Sequence, residues 1–345
     1  MKSSLRIIAA LSILALMSCN KDLDVKNNTP RVITDFPTMV VECDVDAPVV
    51  EAETSTKVYG FVADPVNAPG RHTVKWKAGD QISQFSVVSA KGTTDLNVGD
   101  VLNFSNLRST LNGADGTTSF AMEIPNLTEE YGKTSGLQTW LCAFYPATTF
   151  SDIQVTPEVV NNATRYHVKV KPVSLNIPAE QDGTGWKYSI FYARSATFSA
   201  QYNSPIGGGG DNFQLLSVLL RLRLESTKNI TKVVLTNTTA YMTGEVKEVT
   251  LNYFHGSAVY TNSTLSAGCD KPGNILTIET GEVLPNDLYF AIRELREGTT
   301  YTFTFTAEDG TTQSKSFSNP AGWANRKTRK VLSLGTLTLN DNDWH

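Results

Sequence analysis

The sequence predicts an all-β protein built of antiparallel sandwiches. Three observations carry this reading. Short runs alternate apolar and polar residues with period two, as in Leu220-Arg221-Leu222-Arg223-Leu224-Glu225, a pattern that lines one face of a strand with apolar side chains. The runs are separated by Gly, Asn and Asp clusters of the kind that form turns. Helical stretches are scarce, and no fixed repeat period is visible. The chain is 345 residues long, 40% hydrophobic and 19% charged, which is the composition of globular domains. After an N-terminal leader is removed, this length divides into about two domains.

The leader comes first in the chain. Lys2 and Arg6 precede an apolar run from Ile7 to Met17, which closes in Leu16-Met17-Ser18-Cys19. A basic start, an apolar core and a small residue before the boundary mark a secretory signal peptide over residues 1–18. A cysteine directly after that boundary completes a lipobox. Cys19 is therefore expected to take a diacylglycerol on its thiol and to hold the mature chain to a membrane outside the cytoplasm. An ordinary cleaved signal peptide with a chance cysteine is the plainer alternative. The run is too short for a transmembrane helix, which needs about 20 apolar residues. Residues 19–37 are polar and aperiodic, and read as a flexible tether.

Residues 38–206 are assigned to an N-terminal sandwich and residues 211–345 to a C-terminal one. The boundary is Gly207-Gly208-Gly209-Gly210, a run poorly suited to helix or strand. It is not a phosphate loop, because no Lys-Ser/Thr follows. Strands are expected at Met39–Val45, opposing Val41, Cys43 and Val45 to Glu42 and Asp44, and at Asp80–Val88 after Gly79. In the second half, Leu220–Glu225 should place leucines inward and charges outward. Val233–Leu235 and Leu276–Ile278 add further strands. Thr302-Phe303-Thr304-Phe305-Thr306 should turn through Glu308-Asp309-Gly310 into Gln313–Phe317, since Asp-Gly tolerates the positive φ of tight hairpins.

Chemistry-bearing patterns are sparse. A net charge of −4 leaves no basic footprint for nucleic acid. With Cys19 assigned to lipid, Cys43, Cys142 and Cys269 remain. They read as buried thiols, with one disulfide as the open alternative and no zinc spacing. The four histidines are far apart, and His167 falls on the polar side of a strand. Nucleophile-elbow and zincin motifs are absent. Glu294 and Glu297 read as solvated loop acids, Glu308 and Asp309 as turn acids, and Arg326–Lys330 as a charged strand start. Trp76, Trp186 and Trp323 read as core or edge anchors, with sugar stacking as the alternative. No catalytic, cofactor or metal residues are assigned, and the chain is read as a non-enzyme.

Four segments together resemble the fimbrillin-like proteins of Bacteroidales, the subunits of donor-strand (type V) pili. They are Lys75-Trp76-Lys77-Ala78-Gly79-Asp80-Gln81-Ile82, Cys142-Ala143-Phe144-Tyr145-Pro146, Leu219–Leu224 with Ile230–Asn237, and Tyr301–Phe317 with Arg326–Leu337. The resemblance covers most of residues 38–339 as scattered short motifs, and the lipobox fits it. It implies two transthyretin-like β-sandwich domains in tandem. It implies an outer-membrane lipoprotein at the cell surface or in a fimbrium, anchored through lipid. A trypsin-like protease would then cut between the first and second strands, and a neighbouring subunit's strand would fill the opened groove by β-strand addition. Lys57 is the processing candidate and Arg71 the second. Relatives favour arginine at the cut, so Lys57 as an uncut surface lysine is the alternative. The short polar tail Asn340–His345 points to a tip or accessory subunit over a repeating stalk subunit, unless the final strand is itself the donor. The function expected is a pilus subunit mediating adhesion to a host or bacterial surface ligand. The alternative is a surface glycan-binding lipoprotein of a nutrient-uptake system.

Overall fold

The computed structural model describes residues 29–44, 49–52, 72–73, 79–88, 95–111, 119–160, 163–183, 188–199, 204–206, 214–238, 242–254, 264–265, 273–295, 298–318 and 330–345. Cys19, Lys57, Arg71, Cys269, Gly207–Gly210 and the three candidate tryptophans, Trp76, Trp186 and Trp323, lie outside the described residues.

The chain begins with β1 (Val32–Ile33), β2 (Thr38–Asp44), β3 (Val49–Ala52), β4 (His72–Thr73), β5 (Gln81–Val88), β6 (Val101–Leu111) and β7 (Ser119–Pro125). A single turn of helix, α1 (Leu127–Tyr131), follows. Then come β8 (Gln138–Tyr145), β9 (Phe150–Val160), β10 (Ala163–Pro172), β11 (Asn176–Ile177), β12 (Glu180–Gln181), β13 (Phe191–Ser199), β14 (Ser204–Ile206) and β15 (Gln214–Leu215). The remainder is β16 (Val218–Ser226), β17 (Ile230–Asn237), β18 (Gly244–Glu245), β19 (Val249–Phe254), β20 (Thr264–Leu265), β21 (Ile275–Glu279), β22 (Asp287–Ile292), β23 (Thr300–Ala307), β24 (Thr312–Ser318) and β25 (Lys330–Leu339). The fold is all-β.

Two hydrophobic cores lie between sheets. The first is under a sheet ordered β14-β13-β8-β5-β6-β7-β2, to which β1 adds beside β6 and β15 beside β13. Phe85, Val87, Val101 and Phe144 from this sheet meet Ile153, Val168, Val170, Val249 and Leu251 from a second sheet ordered β20-β19-β10-β9. Phe85, Phe144 and Phe150 stack edge and face at 5.2–6.1 Å. The second core lies between sheet β12-β21-β17-β23-β24 and sheet β22-β16-β25-β3-β4. Its centre is Phe290, Phe303 and Phe305, none of which has exposed surface.

The β23–β24 hairpin forms as its alternation predicts. Tyr301, Phe303 and Phe305 are buried. The opposite face carries a ladder of hydroxyl pairs, Thr300 with Ser318, Thr302 with Ser316 and Thr304 with Ser314, at 2.8–3.0 Å. The tail also has structure. The Thr312 N–H donates to the His345 carbonyl at 2.9 Å and the His345 N–H donates back at 3.1 Å, so the tail pairs with the outer edge of β24. Asp343 accepts from Gln313 Nε2 and Lys315 Nζ, both at 3.0 Å, and Lys228 Nζ lies 5.2 Å above the Trp344 ring.

Three findings depart from the local reading. Arg221, expected outward, is buried. Its guanidinium is satisfied by Asp287 at 2.8 Å through Nη2 and 3.1 Å through Nε, with the Tyr289 ring 6.0 Å away. Both partners sit on the neighbouring strand β22, which pairs with β16. Residues 31–37, expected within the tether, are bonded to the first sheet: β1 runs parallel to β6, Val32 beside Val101. Finally, ladders cross residues 207–210. β10 pairs with β19, β11 with β18, β12 with β21, and β3 with β25.

Candidate strand-addition site

The expected first strand is β2, and it is an edge strand among the described residues, paired only with β7. Seven register pairs join them antiparallel, from Thr38 opposite Pro125 to Asp44 opposite Ser119. Val40 is 72% exposed, which places its face outward and the neighbouring Met39 on the inner side by alternation. An edge strand with one ladder is the element a sheet can lose with least disturbance, and a bare edge is a template for another strand.

Side chains around β2 hold it in register. At its start, α1 supplies a small platform. Asn126 caps this helix, accepting the Glu129 N–H at 3.1 Å and donating Nδ2 to the Glu129 carboxylate at 2.6 Å, a variant of the capping box. The Asn126 N–H donates to the Pro37 carbonyl at 2.8 Å. The Phe36 ring lies 6.1 Å from Tyr131 at the end of the same helix. The Thr38 hydroxyl donates to the Glu123 carboxylate, and Gln84 Nε2 donates to the Glu123 carbonyl. The second carboxylate oxygen of Glu123 is buried with no hydrogen-bond partner among the described residues.

Further up the chain, Asp100 closes the turn before β6 and has no exposed surface. One oxygen accepts the Arg31 main-chain N–H at 3.0 Å. The other accepts the Asn97 N–H at 2.8 Å and Arg31 Nε at 3.5 Å. The Arg31 guanidinium also donates to the Asp95 carbonyl, and the Arg31 carbonyl receives the Val101 N–H at 2.9 Å. The Tyr166 ring packs beneath this turn. Burial, and then the Asp100 charge, pushes the Tyr166 hydroxyl above its ordinary range.

Two of the motif segments meet in space. β5 and β8 are neighbours, and the Tyr145 hydroxyl donates to Asp80 at 3.4 Å. Burial, with Asp80 adding, holds the Tyr145 hydroxyl far above its ordinary range. Tyr145-Pro146 is a cis peptide. The pairing joins Gly-Asp-x-Ile to Tyr-Pro as one structural unit.

No family model matches the chain, and no curated protein matches it. It is similar to two solved structures from Bacteroides ovatus. One, provisionally described as an adhesin, shares 9% identity at a TM-score of 0.23 over 76% of this chain and 80% of that one. The other, from strain ATCC 8483 and described in the same way, shares 10% at 0.20 over 77% and 85%. Superpositions this loose carry no argument about function.

The remaining sequence candidates fall as follows. Cys142 is a buried thiol in the first core. Cys43 stands opposite Phe120 in the β2–β7 ladder. His167 Nε2 meets the Glu158 carboxylate at 2.9 Å, a side-chain contact in addition to solvation. Asp309 accepts Lys228 Nζ at 2.7 Å and the Thr311 N–H and hydroxyl at 3.0 and 2.6 Å, which lowers its pKa. It is a turn acid. Among the described residues no group of three or more His, Cys, Asp or Glu could hold a metal, and no helix is long and apolar enough to cross a membrane. Arg31, Phe36, Asp100 and Glu123 were not singled out by sequence. The Arg31–Asp100, Thr38–Glu123 and Phe36–Tyr131 contacts span 69 to 95 residues, and only the Asn126-x-x-Glu129 cap leaves a local signal.

Proposed function

We propose that this chain is a fimbrillin-like subunit, delivered to the cell surface by lipidation of Cys19, whose first strands are exchanged for a strand from a partner subunit. In this role it is non-enzymatic and serves adhesion at a pilus tip or as an accessory subunit. The observation that carries the reading is the placement of β2. Among the described residues it is an edge strand on one ladder, at the N-terminal side of Lys57, and its departure breaks no ladder but the one with β7. A cut after Lys57 separates β1, β2 and β3 covalently from the rest, leaving them held by hydrogen bonds and packing. The bare edge of β7 then accepts an incoming strand through backbone hydrogen bonds, with register set by side chains on alternate positions.

The N-terminus and intact mass of protein recovered from the cell surface test this directly. A chain beginning at Val58 is expected. A population that uniformly keeps an acylated Cys19 sinks the cleaved version, and leaves β2 as a permanent strand above the anchor.

A further inference from the structure

We infer that the slot filled by residues 31–44 selects its strand by three chemical stations: a cation against Asp100, an aromatic ring against Tyr131, and a hydroxyl donor against Glu123. The occupant is a partner-chain segment that spaces a basic residue, an aromatic residue and a Thr or Ser as Arg31, Phe36 and Thr38 are spaced here. This rests on the reading of β1 and β2 as exchangeable.

The stations differ from the rest of the ladder in what they report. Main-chain bonds, such as Asn126 N–H to the Pro37 carbonyl and Val101 N–H to the Arg31 carbonyl, can be made by almost any strand. They give affinity without identity. Asp100 is different, because its carboxylate has no exposed surface. When residues 29–57 leave, it loses the Arg31 N–H and the guanidinium and keeps the Asn97 N–H. A strand without a cation at that position leaves a buried negative charge without its counter-charge, which is strongly unfavourable. Glu123 makes the same demand on a smaller scale. Among the described residues one oxygen is buried without a partner and the other accepts from Thr38, so an apolar residue there strands the carboxylate. Phe36 against Tyr131 adds ring contact at the strand's start. Val40, which is largely exposed, is free of such a demand.

The test uses the full chain with a sequence-specific protease site placed after Lys57, cut without denaturation. Fluorescent peptides spanning residues 29–46 are then exchanged into it. The native peptide should enter. Peptides carrying Arg31→Met or Thr38→Val should bind about 10- to 100-fold more weakly, the first because the buried Asp100 carboxylate loses its counter-charge while keeping its main-chain donors, the second because a Glu123 oxygen loses its donor. A Val40→Thr peptide should match the native one within about twofold. In chains carrying Asp100→Asn or Glu123→Leu, the corresponding peptide penalty should fall below about threefold, as a true pairwise contact requires. Equal binding of native, Arg31→Met and Thr38→Val peptides overturns the selection while strand exchange stands. Failure of every peptide, on a chain whose circular dichroism is unchanged by cutting, overturns strand exchange and the selection with it. The uncut chain gives a second measure. Arg31→Met should shift the urea midpoint in the native background and much less in Asp100→Asn; equal shifts refute the Asp100 station.

Discussion

Gly99 supports the turn on which Asp100 stands, and its replacement by alanine separates two costs that usually come together. Gly99 has φ +89°, a conformation that costs L-residues about 1–2 kcal/mol. A Cβ there would also stand 2.6 Å from Tyr166 Cε1 and 2.7 Å from Cδ1. Tyr166 is buried on β10, so relieving the overlap means moving a core ring or the turn itself, at about 1–3 kcal/mol. The expected total for Gly99→Ala is about 2–5 kcal/mol. Gly310 is the control. It has nearly the same φ, +82°, in the β23–β24 turn, and a Cβ there meets nothing within 4 Å. Gly310→Ala should therefore cost about 1–2 kcal/mol. Urea unfolding followed by circular dichroism measures both, and for an m-value of about 2 kcal/mol per M the extra ~1–3 kcal/mol should set the Gly99 variant's midpoint about 0.5–1.5 M below that of the Gly310 variant. Equal midpoints would refute the steric contact with Tyr166 and, with it, the placement of the Asp100 turn against β10.

Two further outcomes follow from the second core and the tail. Phe303→Ala should destabilise the chain by about 3–5 kcal/mol, because Phe303 is fully buried and contacts Phe290, Phe305 and Phe317 at 5.8–6.0 Å. The adjacent Thr304→Ala, which loses an exposed hydroxyl pair with Ser314, should cost about 1 kcal/mol or less in the same urea titration. Acid should loosen the tail. Lys315, then Asn340, hold the Asp343 carboxyl below its ordinary value of 3.8, so its contribution is complete above that value and is lost as pH falls through the lower folded one. Hydrogen exchange at the Thr312 and His345 amides, which bond each other's carbonyls, should accelerate below about pH 4 beyond the change seen in an Asp343→Asn chain.

The strand-by-strand character of the fold was legible because alternation is a local property. Thr302 to Thr306 states its buried and exposed faces within five residues, and Asp309-Gly310 marks the turn that follows. Pairing is not local. Nothing in Arg31 points to Asp100, 69 residues on, since a lone arginine in a polar stretch has the same local surroundings whether it is solvated or clamped. The same limit explains Arg221. Alternation places it on the face opposite Leu220 and Leu222, correctly, but whether that face meets water depends on β22, whose Asp287 and Tyr289 come from far along the chain. The Gly-Asp-x-Ile and Tyr-Pro segments are separate motifs in the sequence, and only the β5–β8 ladder reveals that they form one contact.

The crossing ladders set β2 apart from the other strands brought in from a distance. β19 also reaches its sheet from far along the chain, carrying Val249 and Leu251 into the first core beside Val168 and Val170. It is held between β10 and β20, so removing it would break two ladders and open a core of fully buried side chains. Such a strand remains by tertiary packing as much as by connectivity. β25 is likewise flanked, by β16 and β3. The outer edge of β24 is occupied where it begins, through the reciprocal bonds of Thr312 and His345. β2 differs from each of these, since among the described residues it has one ladder, together with an outward face that includes exposed Val40 and a set of polar clamps at its start. Its described contacts are backbone pairing plus a few specific side-chain groups, a combination another chain can reproduce. A strand bound mainly by deep core burial would need its replacement to match shape at every inward position; a strand bound as β2 is needs the right few groups in the right register, and that is a demand a partner subunit can meet.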